Sequence, residues 1–378
     1  MIYIVCFGIS TLFAYLANRT KSRKAFILLS VMSILVTAAL AGLRDYSIGV
    51  DTEHYLTYSQ FWGGAVKYAT LGDYIAYYQS RDLGEPLFAL VLGLIEHYTG
   101  NFTLFLFVEH LVIITGVYIG AFRQKEHVSP ALILMLFYLC YFNHSLNGTR
   151  QYMAMAVIFA VLADVPKGKY LRFAVVVFVA HFIHVSALLS LGAILIHWVQ
   201  SCRFTRFAPA LAPSRRARSF FIVFALAIFV FAFPWLCRML ISIGLLGKKY
   251  LFYLNPDRAE YSLLITLFLL VEMAALFLLR RPMKKNLIHY RYYAVSSVAY
   301  LILQQLSAVL VYGKRIAAYY SLANLVTISM IPRAFNRREN RMVATILVIA
   351  VALFYWWYVY ILRQGSETYP YAFIFMNS

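Results

Sequence analysis

AFILLSVMSILVTAALAGL, residues 25–43, contains no charge and is followed at once by RDYSIGVDTEHY, residues 44–55. A charge-free apolar run of this length reads as a membrane-crossing helix. The change at Arg44 places a dense polar cluster at the membrane edge. Arg44, Asp45, Asp51, Glu53, His54 and Tyr55 all lie within it. A second cluster, Asn147-Gly148-Thr149-Arg150-Gln151, opens another apolar run far along the chain.

The same reading extends over the whole sequence. Hydrophobic residues make up 62% of the 378 positions, and the mean hydropathy is +0.72. A soluble domain of this size sits well below both values. Apolar runs lie at roughly 2–17, 25–43, 86–99, 102–121, 129–142, 151–165, 170–183, 184–200, 219–242, 261–279, 292–311, 316–332 and 342–362. They are solid runs, which excludes a barrel of short alternating strands. The expected fold is an all-α, polytopic transmembrane bundle with about 12 crossings plus a partial or re-entrant segment. The chain reads as one integral membrane domain over 1–378, with 44–85 as an outer loop. Within that loop, 61–79 mixes aromatics with Lys67 and Asp73, as an interfacial helix does. The first apolar run has four positive charges after it and no basic segment ahead of it, so a retained helix is expected.

The net charge of +19 could suggest a nucleic-acid partner. The distribution argues otherwise, because Lys and Arg concentrate in short loops at 19–24, 167–172, 203–218, 280–291 and 333–341. The positive-inside rule assigns such loops to the cytoplasm, and no basic domain is left to hold a duplex. Residues 44–85 then fall outside, which suits their excess of acids. Two apolar runs separate this loop from the basic 123–125, where an odd number of crossings is required. The short 86–99 run, ending in Glu96 and His97, is the candidate re-entrant piece. A single long tilted helix over 170–200 is the alternative. The four cysteines show no metal-ligand or redox spacing, and the four Asn-x-Ser/Thr sequons read as chance.

With this orientation the polar clusters gather on the outer side. They are Arg44 with Asp51 and Tyr55, Arg150 with Gln151, His184 with Ser186, and Arg315 with Tyr319; Glu85 also opens a segment there. Each has a plainer reading. An arginine at a helix end can snorkel to headgroups, and His184 with Ser186 can be a packing pair. Glu109 and Glu272, inside apolar runs, must face the protein interior and need partners that the sequence does not name. Several arginines on one side suit a diphosphate, since guanidinium binds phosphate oxygens bidentately and keeps its charge. No Asp-x-Asp, Walker or His-Glu-x-x-His motif occurs. Neither a metal nor a cofactor is therefore expected.

The set Arg44-x4-Gly49-x-Asp51-Thr52-x2-Tyr55, Arg150-Gln151-x2-Ala154, His184-x-Ser186-Ala187 and Arg315-x3-Tyr319 resembles the EpsG-type family of bacterial polysaccharide polymerases. These are relatives of the Wzy O-antigen polymerases. The resemblance spans about residues 40–335. It implies polymerisation of undecaprenyl-diphosphate-linked oligosaccharide units at the outer face of the bacterial inner membrane. A chain-length regulator and a flippase are the protein partners such a system implies. The large periplasmic loops of many Wzy proteins are not evident here. In this reading Arg150 and Arg315 bind the diphosphate and Arg44 assists Asp51. Asp51 or His184 is the general base, with Asp51→Asn expected to cost more. Tyr55, Glu85, Gln151, Ser186 and Tyr319 position sugars or supporting groups. Two rivals stand beside it: a flippase for lipid-linked oligosaccharides and a non-catalytic membrane subunit of a synthesis complex.

The orientation is testable with single cysteines in a cysteine-free background. Cysteines replacing Ser47 and Gln79 are expected to react with an impermeant maleimide from outside. One replacing Ser214 is expected to stay unlabelled in intact spheroplasts, and its labelling would invert the topology.

Overall fold

The computed structural model describes residues 1–52, 70, 72–73, 76, 85–201, 214–244, 251–252, 254–255, 261–311 and 313–376. Among them every regular element is helical, and a single bridge pairs Arg44 with Phe373. The helices are α1 (Ile2–Arg19), α2 (Arg23–Gly42), α3 (Pro86–Thr99), α4 (Phe102–Arg123), α5 (Pro130–Phe137), α6 (Thr149–Leu162) and α7 (Tyr170–His181). After them come α8 (Gly192–Ser201), α9 (Arg215–Ser242), α10 (Leu263–Leu278), α11 (Arg280–Asn286), α12 (Tyr290–Gln304), α13 (Gly313–Met330) and α14 (Arg338–Trp356). Each apolar run of the sequence overlies one of them.

Sequence chemistry sets their ends. Ser22 caps α2 by accepting from the Ala25 N–H at 3.3 Å, and Asn101 caps α4 by accepting from Leu104 at 3.0 Å. Among the described residues five helices are long and apolar enough to cross a membrane: Ile2–Arg19, Arg23–Gly42, Phe102–Arg123, Arg216–Ser242 and Arg338–Leu362. The pair α10 and α11, bent by 68°, makes a sixth if counted as one broken span. The remaining apolar helices are shorter. At 14 residues α3 extends about 21 Å, less than the roughly 30 Å of a hydrocarbon core. The 170–200 region is not one helix. It leaves α7 at 182–184, makes a 3-10 turn over Val185–Leu191 and resumes as α8. Most of the expected interfacial helix over 61–79, and Tyr55, lie outside the described residues.

The described chain forms two compact units. The first comprises Met1–Ala163, Leu171–Leu188 and Met342–Ser378; the second comprises Asp164–Tyr170 and Leu189–Arg341. In lipid, helices gain little by hiding apolar surface from one another, so close packing and hydrogen bonds must join them. Unit one uses both. Gly116 and Gly120, one turn apart on α4, lie against α6. A Cβ added at Gly116 would stand 2.6 Å from the Ala156 carbonyl oxygen, and one at Gly120 would stand 2.3 Å from the Phe159 ring. On α1 and α2, the Ser10 hydroxyl donates to the Ser33 carbonyl at 2.7 Å and Ser33 returns the bond at 2.8 Å.

The C-terminal segment straps the first unit. Tyr3 donates to the Thr368 carbonyl at 2.7 Å, Asn143 to the Thr368 hydroxyl at 2.8 Å and Asn147 to the Ser366 carbonyl at 2.8 Å. The Gly49 N–H donates to the Glu367 carbonyl at 3.0 Å, and the Asp45 N–H to the Ala372 carbonyl at 2.9 Å. The strap thereby satisfies loop backbone groups that have no helical partner. Gly49 has a φ of +92° and packs beside Asn147, so a side chain there would be strained.

Unit two is organised around α12 and α13. Ser297 donates to Thr327 at 2.8 Å, and Thr327 to the Tyr293 carbonyl at 3.2 Å. Glu272 on α10, an expensive group in an apolar helix, receives the Asn324 amide at 2.8 Å.

Candidate functional site

Glu85 is the residue on which the polar groups of unit one converge. It stands immediately before Pro86, which opens α3 with a pre-set φ and no N–H to leave unpaired. Its own φ is +67°, an uncommon value for a residue with a side chain and one that is found at functional sites when the surroundings enforce it. Two segments provide the enforcement. The Leu87 N–H in the first turn of α3 donates to the Phe182 carbonyl at 3.0 Å, docking that turn onto the break after α7. The Glu85 carboxylate then accepts from both sides. Arg150 Nη1 donates to Oε2 at 2.5 Å, His184 Nδ1 bonds Oε1, and the Val185 N–H approaches Oε1 at 3.4 Å.

The break between α7 and α8 is what makes His184 available. In a continuous helix His184 would point along a lipid-facing or packed stripe. Here the chain turns at 182–184, and the imidazole reaches the carboxylate instead. Non-helical backbone at membrane depth is tolerated only where protein buries it or a cavity lines it. Arg150 comes from the first turn of α6, which Gly148 precedes. A helix N-terminus disfavours a cation, so the Glu85 carboxylate offsets a real cost. The Arg150 guanidinium also lies 5.6 Å from the Phe88 ring centre.

Burial pushes the Glu85 carboxyl up, but the His184 hydrogen bond and the charges of Arg150 and His184 outweigh it and hold the group below the ordinary glutamate value. Glu85 is thus an anion at neutral pH. An anion cannot donate, so the shared hydrogen sits on His184 Nδ1. When the ring carries only that hydrogen, its Nε2 is an acceptor. The exposures are graded to match: the Glu85 side chain is 7% exposed, His184 14% and Arg150 36%. The carboxylate is the buried anchor, and the arginine is the member open to a ligand.

The other candidate residues are placed differently. Arg44 is completely buried. Its guanidinium donates to the Ala41 carbonyl at 2.7 Å, to Thr52 Oγ1 at 3.3 Å and to the Leu146 carbonyl at 3.3 Å, with Glu109 at 3.9 Å. Arg44 therefore pins the 44–52 loop to the segment preceding α6. It gives Glu109 the interior partner that an intramembrane acid requires, and His110 stands 3.6 Å from the same carboxylate. Asp51 is half-buried, in helical backbone beside the buried Thr52. Gln151 is buried on α6, and Ser186 is half-buried in the 3-10 turn after His184. Arg315 and Tyr319 belong to unit two, where Arg315 is exposed in the first turn of α13 and Tyr319 is buried. Glu109, His110, Asn147 and Trp356 join the buried network without having been singled out as site residues. Trp356 donates to Asn143 at 2.9 Å. Among the described residues no group of three or more His, Cys, Asp or Glu is arranged to hold a metal ion.

Apolar helices of spanning length, together with an ionised cluster held at a helix break, define a multi-pass membrane protein with a polar site. The sequence model of the EpsG family matches residues 2–373, and the chain belongs to that family. No curated protein and no solved structure matches.

Glu85→Gln tests the electrostatics. The folded-state value is depressed, so the stabilisation is complete above the ordinary glutamate range and is lost as pH falls through the lowered value. The substitution is expected to cost on the order of 2 kcal/mol near neutral pH. The variant is also expected to melt with less change than wild type as pH falls from about 5 to about 2, the range over which the wild-type carboxylate is protonated. Equal pH dependence of the two melting temperatures would show that Glu85 carries no such charge.

Proposed function

We propose that this chain polymerises polysaccharide repeat units carried on a lipid diphosphate, at the outer face of the bacterial inner membrane and without a metal ion. The juxtaposition of Glu85, Arg150 and His184 carries this reading, with family membership supporting it. About 12 crossings would place the basic loops in the cytoplasm and the cluster outside.

The reaction assigns a task to each member. A hydroxyl of the incoming lipid-linked unit attacks the anomeric carbon of the growing glycan, and the carbon–oxygen bond to the lipid diphosphate breaks. Charge builds on the departing diphosphate, where Arg150 can bind phosphate oxygens as a fork. The hydroxyl proton passes to His184 Nε2. Glu85 holds the imidazole in the tautomer that can accept it, and it stabilises the imidazolium that results. This geometry favours His184 over Asp51 as the base. Asp51 is left a supporting role, on the turn that Arg44 secures. Arg315 is the second guanidinium proposed for phosphate. Undecaprenyl-diphosphate-linked oligosaccharides would be the substrates, and a flippase and a chain-length regulator the protein partners.

Arg150→Lys keeps the charge and loses the fork. It is expected to express normally and to lose polymerisation by tenfold or more, on the order of 1.4 kcal/mol of transition-state binding. His184→Gln is expected to cost about 100-fold or more, as removal of a general base does, and Asp51→Asn to cost less. Chain lengths on a gel and initial rates check all three. Wild-type chain lengths in the Arg150→Lys protein would remove the diphosphate role. A dead Asp51→Asn with an active His184→Gln would move the base to Asp51.

A further inference from the structure

A second polar site lies within unit two. The last turn of α8, the start of α9, the end of α11 and the first turn of α12 line a half-open cavity of about 550 Å³. Its wall includes Gln200, Lys284, His289, Arg291 and Tyr292, and no carboxylate lines it among the described residues. Lys284 feels the positive charge of Arg291, Arg216 and Arg280. Like charges gathered this closely repel one another and call for a counter-anion. A further donor is present: the Gln200 amide nitrogen is buried and has no hydrogen-bond partner among the described residues. His197, also in the wall, is already engaged, with Tyr170 at 2.7 Å from one ring nitrogen and Ser201 at 3.1 Å from the other. It stacks edge-on against Tyr292 at 5.6 Å and so shapes the wall. His289, with a φ of +65°, occupies the cap position of α12, and the positive end of that helix adds to the same field.

From this arrangement we infer that the cavity binds an organic phosphate through Lys284 and Arg291. The wall, rich in donors and free of carboxylates among the described residues, selects an anion. Phosphate oxygens match both a guanidinium fork and an ammonium point charge. The volume lies in the range of small-molecule sites, roughly 300–1,000 Å³, and is far larger than bare phosphate needs. The ligand therefore carries an organic body. A lipid headgroup and a soluble phosphoester share this chemistry. The cavity takes Lys284, His289 and Arg291 from the basic stretch 280–291, which the positive-inside rule assigns to the cytoplasm, so the ligand is taken from that side. The polymerisation chemistry makes no use of this cavity.

The test uses the full chain in nanodiscs. In phosphatidylcholine discs, glycerol 3-phosphate and pyrophosphate are titrated and the melting temperature and Kd are read. In discs containing phosphatidylglycerol, native mass spectrometry counts retained anionic lipid. Either a saturable shift with a soluble probe or a stoichiometric phosphatidylglycerol is expected, and the two results separate the sources. Lys284→Gln and Arg291→Gln are each expected to weaken that binding about tenfold. Lys285→Gln, at the exposed neighbour that does not line the cavity, is expected to leave it unchanged. Lys284 is exposed, so its variant folds even where Arg291→Gln does not, and it then decides alone. Absence of binding by every probe, or equal losses in the Lys284 and Lys285 variants, overturns the inference.

Discussion

The Glu85 carboxylate joins three segments at one point. It bonds the first turn of α6 through Arg150 and the break after α7 through His184, and it sits at the entry to α3. Removing any one of these contacts exposes the others to a penalty. Arg150 would be a cation at a helix N-terminus without its counter-charge, Glu85 would be a buried anion without donors, and His184 would lose the bond that fixes its tautomer. The left-handed φ at Glu85 belongs to the same arrangement, because it accompanies the return of the carboxylate over the docked turn. A strained backbone, a broken helix and a buried ion pair are each unfavourable alone. Their coincidence at one residue is what a prepared site looks like.

A second network supports the first without taking part in it. Arg44, Glu109 and the 143–149 segment are held from one side by helix packing and from the other by the C-terminal strap. This network lies next to α6, whose first turn carries Arg150. The Gly116 and Gly120 contacts press α4 onto α6 and leave little slack for that helix to move. Precision at Arg150 therefore comes from packing that is itself apolar and from polar bonds that never meet substrate.

Much of this was legible in the sequence. Charge-free runs announced the helices, and the breaks in charge at Arg44 and Arg150 announced the membrane-edge clusters. The 86–99 run was short, as the 14-residue α3 is, and Glu85-Pro86 marked where it opens. The pairing was not legible, because Glu85 meets Arg150 and His184 across 65 and 99 residues. Only tertiary structure brings such positions together. Arg44 shows the reverse difficulty. An arginine beside an aspartate at a membrane edge reads as ligand-facing, whereas burial and three donated bonds make it a pin. The strapping role of the C-terminal segment rests mostly on backbone carbonyls, which every sequence possesses and none advertises.

The central claim is that Glu85, Arg150 and His184 make glycosidic bonds rather than move a lipid-linked glycan. The most direct measurement is reconstitution of the purified chain in liposomes with a lipid-diphosphate-linked repeat unit as sole substrate and EDTA present. The predicted result is a ladder of lengthened lipid-linked glycans, with one lipid diphosphate released for each bond formed. Transfer of intact substrate across the bilayer, with no ladder and no released lipid diphosphate, would contradict it.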